Sequence, residues 1–389
     1  MQIDLSALVG IIALAAAAPI VADLVPRVGP PLVVVEILLG IVVGPPALHL
    51  IHVTPLADLL SQFGLAFLFF LAGFELEPER VRGTPARLAV TTWFVSLALA
   101  FGIAAGLEAS GVIVNYLFVG CALSTTALGT LTPILRDTGD LEGEFGAFVM
   151  ASGAVGELGP IVLIAILLTG STDRSLSVLL LVAFAVVAVA AAVAAPHVRP
   201  RRIVAVIERT MEATGQLAVR LSVLVLAALV YLTSKLGLDL VLGAFSAGML
   251  VSIAAGPASR RLLQPKLDAV AFGVFVPIFF VVTGMRFNLD AVIGDPAGVA
   301  KLVLFLVLLL VVRGLPTFVL ARRAALPVGE RRALALYAST GLPLIVAVTT
   351  LGIAAGEMRT DTSAGLVGAG MMSVLVYPIL AGMVRAAKL

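Results

Sequence analysis

Residues 121–135 read CALSTTALGTLTPIL, and residues 337–346 read YASTGLPLIV. Both stretches lie inside long apolar runs, yet each interrupts its run with hydroxyl residues, glycine and proline. The first interruption comprises Ser124, Thr125, Thr126, Gly129, Thr130, Thr132 and Pro133; the second comprises Ser339, Thr340, Gly341 and Pro343. Proline removes a backbone donor and clashes with the preceding turn, and glycine weakens a helix. Either stretch alone reads as a kinked helix whose Ser and Thr bond back to their own backbone. Two of them predict a pair of broken helices whose ends and released carbonyls meet beside a polar cavity.

The surrounding composition decides the class. The chain has 389 residues, of which 61% are hydrophobic and 12% charged, and its mean hydropathy is +1.16. A soluble protein of that length needs more polar residues to cover its surface. Apolar runs of about 18–25 residues recur from end to end, the length that crosses hydrocarbon. The expectation is an all-α polytopic membrane protein with thirteen spans, near 6–24, 30–48, 57–75, 87–107, 114–135, 143–168, 176–196, 214–236, 239–255, 267–286, 297–320, 332–355 and 362–385. MQIDLSALVG lacks a basic n-region and carries Asp4, so the first run is expected to be a true span and not a cleaved signal. The single Cys121 excludes a disulfide within the chain. The net charge of +2 gives no sign of nucleic-acid binding, because the basic residues sort into loops.

Those loops set an orientation. One side holds Arg27, Arg80, Arg82, Arg87, Arg136, the cluster from Arg199 to Arg209, Arg260, Arg261, Lys266, Arg322, Arg323, Arg331, Arg332, Arg385 and Lys388. The other holds Arg174, Lys235, Arg286 and Arg359, with Lys301 near its border. The positive-inside rule then places the N-terminus outside and the C-terminus in the cytoplasm. Three pairs of stretches also repeat in order: ILLGIVVG (37–44) with LVLGAFSAG (240–248), FGLAFLFFLAGFEL (63–76) with FGVFVPIFFVVTGMRF (272–287), and ALSTTALG (122–129) with YASTGLPL (337–344). Corresponding spans are an odd number apart, which predicts an inverted-topology repeat of the kind secondary transporters use.

Ionisable residues inside the spans are few. ASGAVGELGPIVLIAIL (151–167) carries one, Glu157, twelve residues past Phe145, hence about 18 Å into its span at 1.5 Å per residue. A carboxylate at that depth is costly unless paired, protonated or hydrated, so it is a functional candidate. Arg313 interrupts LVLLLVVRGLPTFVL (306–320). Its side chain tilts toward the helix N-terminus, toward the depth of Glu157, and it keeps its proton. It either holds a carboxylate ionised and steadies the crossing, or forms a structural ion pair. Glu36, in PPLVVVEILLGIVVGP (30–45), lies shallower and reads as a gate, a structural hydrogen-bond acceptor or a partner for a backbone break, structure and function weighing equally. His49, His52 and His197 have no ligand spacing, and there is no Walker sequence, dinucleotide fingerprint or catalytic triad, so neither an enzyme nor a cofactor is expected.

Together, EILLGIVVGP, FLFFLAGFEL, the STTALG break, FVPIFFVVTGM and the STGLPL break resemble the membrane domain of monovalent cation:proton antiporters, including the Kef-type branch. The similarity covers almost the whole chain. It implies a core domain around the crossing broken helices, about 57–168 and 267–355 with part of 362–385. It also implies a dimerisation scaffold, about 6–48 and 176–255, with the eleventh span linking the two. Elevator-like movement of the core in a homodimer is implied as well. Glu157 falls at the family's ion-binding carboxylate, Arg313 at a basic position that is Lys or Arg in relatives, and Thr125, Thr126 and Ser339 in the unwound segments. Many electrogenic relatives have an Asp-Asp pair where this chain has Gly156-Glu157. Kef-type relatives often carry a nucleotide-binding domain after the last span, and the chain here ends at Leu389, so that domain is not expected.

The resulting expectation is a multi-pass protein of a bacterial inner membrane that exchanges sodium or potassium for protons at one site. Glu157 releases a proton and takes up the cation with oxygens of Thr125, Thr126, Ser152 or the unwound backbone, since hard cations favour oxygen ligands. One dissociable group implies one proton per cation. A sodium-coupled organic-anion symporter is the alternative of similar architecture, and a channel or sensor without turnover is the alternative of another class.

Overall fold

The computed structural model describes residues 5–24, 31–75, 83–128, 131, 135, 143–168, 215–235, 240–294 and 296–386. No strand occurs among them, and the all-helical membrane class expected from hydropathy is what the chain adopts. The first half contains α1 (Leu5–Asp23), α2 (Leu32–Val43), α3 (Pro55–Glu75), α4 (Gly83–Ala109), α5 (Tyr116–Leu123) and α6 (Glu144–Leu168). The second contains α7 (Leu217–Lys235), α8 (Leu240–Val270, kinked at Gly256), α9 (Val276–Met285), α10 (Asp290–Ile293), α11 (Pro296–Leu309), α12 (Leu315–Leu320), α13 (Val328–Ala338), α14 (Pro343–Ala354) and α15 (Thr360–Ala386). Short π-helical segments, Ala271–Phe275 and Leu310–Gly314, join α8 to α9 and α11 to α12. Eight stretches among the described residues are long and apolar enough to cross a membrane, and α2 and Leu240–Gly256 are shorter apolar helices. The expected seventh span, 176–196, lies outside the described residues.

The chain divides into two compact units. In the first (1–8, 53–76 and 165–282), α8 packs against α3 and α7. Small residues set the spacing. A Cβ on Gly73 would overlap the Phe245 carbonyl oxygen, and one on Gly248 would overlap that of Phe70. Lipid supplies no hydrophobic drive between helices, so such close backbone approach is how they hold together. Stacked Phe67 and Phe275, with centroids 5.0 Å apart, extend the same seam.

In the second unit (9–52, 77–164 and 283–389), the end of α9 meets α2 in the same manner. A Cβ on Gly284 would overlap the Ile37 carbonyl oxygen. Gly73 and Gly284 are the late glycines of the two repeated Phe-rich stretches, while the other repeated pair lies at the end of α2 and the start of α8. Each Phe-rich stretch therefore makes the same contact with the small-residue stretch of the other repeat. The rest of this unit packs α4 on α5, and α15 on α11, α13 and α14. Phe148, Leu334 and Tyr337 lie in a buried apolar cluster beside the start of the second break.

Candidate functional site

The first break begins where α5 stops at Leu123. The hydroxyls of Ser124 and Thr125 turn back, donating to the carbonyls of Cys121 (2.9 Å) and Ala122 (2.8 Å). That local bonding competes with helix continuation. Residues 125–127 then run in non-helical conformation, and three consecutive N–H groups point to three different partners. Thr126 donates to the Gly156 carbonyl at 3.0 Å, and Ala127 to the Thr340 carbonyl at 2.8 Å. Leu128 donates to Oε2 of Glu157 at 3.2 Å. The sequence-predicted crossing is present: one break is hydrogen-bonded to the other, and the next residue to the candidate carboxylate.

The Gly156 carbonyl can accept from Thr126 because of Pro160, inside α6. A helix carbonyl is satisfied by the N–H four residues on, and proline has none. Pro160 thus leaves the Gly156 carbonyl for the first break. Sequence reading missed Pro160, although its spacing of four from Gly156 was there to be seen.

The second break separates α13 from α14. Ser339 and Thr340 donate back to the carbonyls of Ala335 (2.7 Å) and Tyr337 (2.6 Å). The N–H of Gly341 donates to the Ser373 hydroxyl of α15 at 3.2 Å, and Pro343 opens α14, where a missing donor costs least. Gly341 is small for a reason: a Cβ there would come within 2.7 Å of Thr125 Oγ1.

Arg313 ties both breaks to α6. It lies in the π-helical segment and is 0% exposed. Its Nε and Nη2 donate to Thr126 Oγ1 at 3.0 and 2.7 Å, and Nη2 also reaches the Ser152 carbonyl at 3.4 Å. Thr126 Oγ1 in turn donates to the Ala338 carbonyl at the lip of the second break. The guanidinium does reach the depth of Glu157, but it rests beside Gly156. A Cβ on Gly156 would lie 2.6 Å from Arg313 Nη2 and from Thr126 Oγ1. A side chain at position 156 would therefore crowd the Arg313–Thr126 strut.

Glu157 is 8% exposed. Within the same unit, Ser152 Oγ and Arg313 Nη1 are buried without a hydrogen-bond partner. Trp93, the chain's one tryptophan, donates Nε1–H to the Ser124 carbonyl at 3.2 Å and covers Gly159 of α6. No sequence signal connects Trp93 with Ser124, 31 residues away. Gly129 lies outside the described residues. Glu36 is buried on α2 with no hydrogen bond or ion pair among the described residues, and nothing brings it to Glu157. Among the described residues, no three His, Cys, Asp or Glu side chains cluster as metal ligands.

Fold and site together define a helical membrane protein built on two crossed, discontinuous helices that present a buried carboxylate to their unwound segments. The chain belongs to the family described as sodium/hydrogen exchanger, transmembrane, whose model matches residues 11–385. It is 26% identical over 370 residues to the putative Na(+)/H(+) antiporter YjbQ of Bacillus subtilis, covering 90% of this chain and 58% of that one. It is 26% identical over 280 residues to the Na(+)/H(+)-K(+) antiporter GerN of Bacillus cereus, 69% of each chain. Similarity extends to Cation/H(+) antiporter 15 of Arabidopsis thaliana, at 28% over 90% of this chain and 44% of that one. The solved structure of the sodium proton antiporter MjNhaP1 from Methanocaldococcus jannaschii superposes with a TM-score of 0.68 over 98% of both chains at 18% identity, which is a likeness of fold.

Proposed function

We propose that this protein is a secondary antiporter that exchanges a monovalent cation, sodium or potassium, for a proton at Glu157. The observation that carries this reading is the hydrogen bond from Leu128 to Glu157 within the crossing of the two breaks. Unwound backbone inside a membrane is tolerated where it lines a polar site, and half-helix ends suit ions there. The names of the Bacillus relatives support sodium and potassium as the cations.

In this reading Glu157 exchanges its proton for a cation held by carboxylate oxygens, the unpartnered Ser152 hydroxyl, the Thr125 hydroxyl and carbonyls of the break. Thr126 serves chiefly as the strut, since its oxygen accepts twice from Arg313. The occupied carboxylate is neutral and crosses; the bare anion does not, because moving a charge into hydrocarbon is costly. That restriction couples the two ions. One exchangeable group makes the cycle one proton for one cation. We further propose the elevator movement of a core against a scaffold, the homodimer, and the orientation with the C-terminus in the cytoplasm of a bacterial inner membrane.

The test is purified protein in liposomes with an internal pH dye. An imposed sodium or potassium gradient is expected to drive proton movement in the opposite direction. Absence of proton movement with either cation, or sodium uptake that requires an organic anion, would overturn the reading.

A further inference from the structure

At the Arg332 end of the second unit, α12, α13 and the last turns of α15 line a groove of about 600 Å³ that the proposed exchange does not use. Its lining includes Gly314, Leu315, Phe318, Ala335 and Val384, and Arg332 is its one charged residue. Leu315 is 53% exposed, so the groove opens outward from the helices. Two more guanidiniums converge on its aromatic wall: Arg322 and Arg331 lie 5.9 and 5.2 Å from the Phe318 ring centroid. Among the described residues none of these three arginines has a carboxylate partner, although Glu330 is their neighbour in the chain. Arg331 Nε is buried without any hydrogen-bond partner.

Arginines at a membrane border need no ligand, since snorkelling and orientation bias account for their presence. Neither effect accounts for an apolar slot beside three guanidiniums with no carboxylate partner among the described residues. An acyl chain fills such a slot, and a net negative headgroup satisfies the cations above it. We infer that this groove binds an anionic phospholipid, with an acyl chain along Phe318 and Val384 and the phosphate at Arg332, Arg322 and Arg331. A zwitterionic lipid offers the same chain without net charge and binds less well. The bound lipid touches the transport machinery through two wall residues. Gly314 directly follows Arg313, and the Ala335 carbonyl accepts the Ser339 hydroxyl at 2.7 Å.

The test reads lipid binding directly, independent of transport. The full chain, purified in detergent, is mixed with phosphatidylglycerol or phosphatidylcholine of identical acyl chains, and retained lipid is counted by native mass spectrometry. Each arginine near a membrane surface contributes about fivefold to anionic-lipid binding. The wild type is thus expected to retain phosphatidylglycerol in clear preference, and Arg332→Gln to cut that retention about fivefold while leaving phosphatidylcholine unchanged. Adding Arg322→Gln and Arg331→Gln is expected to abolish the preference, and Val384→Trp to lower both lipids by filling the slot. Arg332→Lys, which keeps the charge, retains binding and guards against a folding artefact. Arg220→Gln removes the same charge from the other unit and changes neither lipid. Equal retention of the two lipids by the wild type would overturn the inference. So would a preference that survives the triple substitution, an equal loss with Arg220→Gln, or displacement of the lipid by inorganic phosphate alone.

Discussion

The Thr126 hydroxyl accepts two N–H groups from the Arg313 guanidinium, at 3.0 and 2.7 Å, while donating to the Ala338 carbonyl across the crossing. One oxygen thereby links the eleventh span to both broken helices. A hydrogen bond to a buried charge is worth about 1.5–3 kcal/mol, and deleting one partner leaves the charge uncompensated. Thr126→Val keeps the shape and removes the acceptor, so it is expected to lower thermal stability in detergent by about 2–3 kcal/mol. Thr126→Ser, which keeps the hydroxyl, is expected to stay close to wild type. Equal melting of the Val variant and the wild type would show that Arg313 is satisfied elsewhere.

Pro160→Ala supplies the N–H that α6 lacks, and that donor competes with Thr126 for the Gly156 carbonyl. Interior proline costs a helix roughly 3 kcal/mol. The variant is therefore expected to melt at or above the wild-type temperature while transporting more slowly, a trade of function for stability. Wild-type exchange rates in a stabilised Pro160→Ala protein would separate the proline from the site.

Glu157→Gln is expected to abolish cation-driven proton movement in liposomes while the protein still folds and elutes as wild type. Glu157→Asp keeps the charge with a shorter reach, so some exchange survives with an altered apparent cation affinity. Normal exchange by the Gln variant would remove Glu157 from the mechanism.

Because Trp93 is the one tryptophan and its indole N–H holds the Ser124 carbonyl, its fluorescence reports on the first break. Emission is expected to shift when sodium or potassium is titrated into the detergent-solubilised protein, and the shift is expected to vanish in Glu157→Gln. Trp93→Phe removes the hydrogen bond and empties space over Gly159, so it lowers stability as well as rate. A cation-dependent shift that persists without Glu157 would mean that the tryptophan senses another event.

Charge balance follows from Gly156 and Arg313. Position 156, next to Glu157 in the sequence, is glycine and supplies no second carboxylate, and arginine is a fixed charge in the proposed cycle. In the cycle proposed above, each turn would swap one cation for one proton and move no net charge, so membrane potential would do no work on it. Sodium-driven exchange is expected to be unaffected by a potential imposed with potassium and valinomycin. A current with a reversal potential away from zero would identify a second charge carrier, for which buried Glu36 is the first residue to change.

Residue type along the chain specified the class and the two breaks, and marked Glu157 as a charge buried in a span. Each is a local consequence of residue type: apolar runs of spanning length, proline and glycine that interrupt helices, and a charge placed where hydrocarbon penalises it. The repeat was legible as ordered stretches, and its contacts, Gly73 on Phe245 and Gly284 on Ile37, then appear as matched packing. Even Pro160 was readable in principle, because its effect acts at a fixed spacing along one helix.

Tertiary structure alone decided the partners. Ala127 meets Thr340 across 213 positions of sequence, and Arg313 chooses Thr126 and the Ser152 carbonyl over other acceptors at the same depth. Trp93 closes on Ser124 from a helix with no motif of its own. Composition and periodicity report what a segment buries, and say nothing of what it is buried against. The hydroxyls show why: Thr125 and Thr126 are adjacent and chemically identical, yet one bonds back to its own helix while the other braces the crossing. The Thr126 side chain packs against Gly156 and the Thr125 hydroxyl against Gly341, and only packed helices define those two environments.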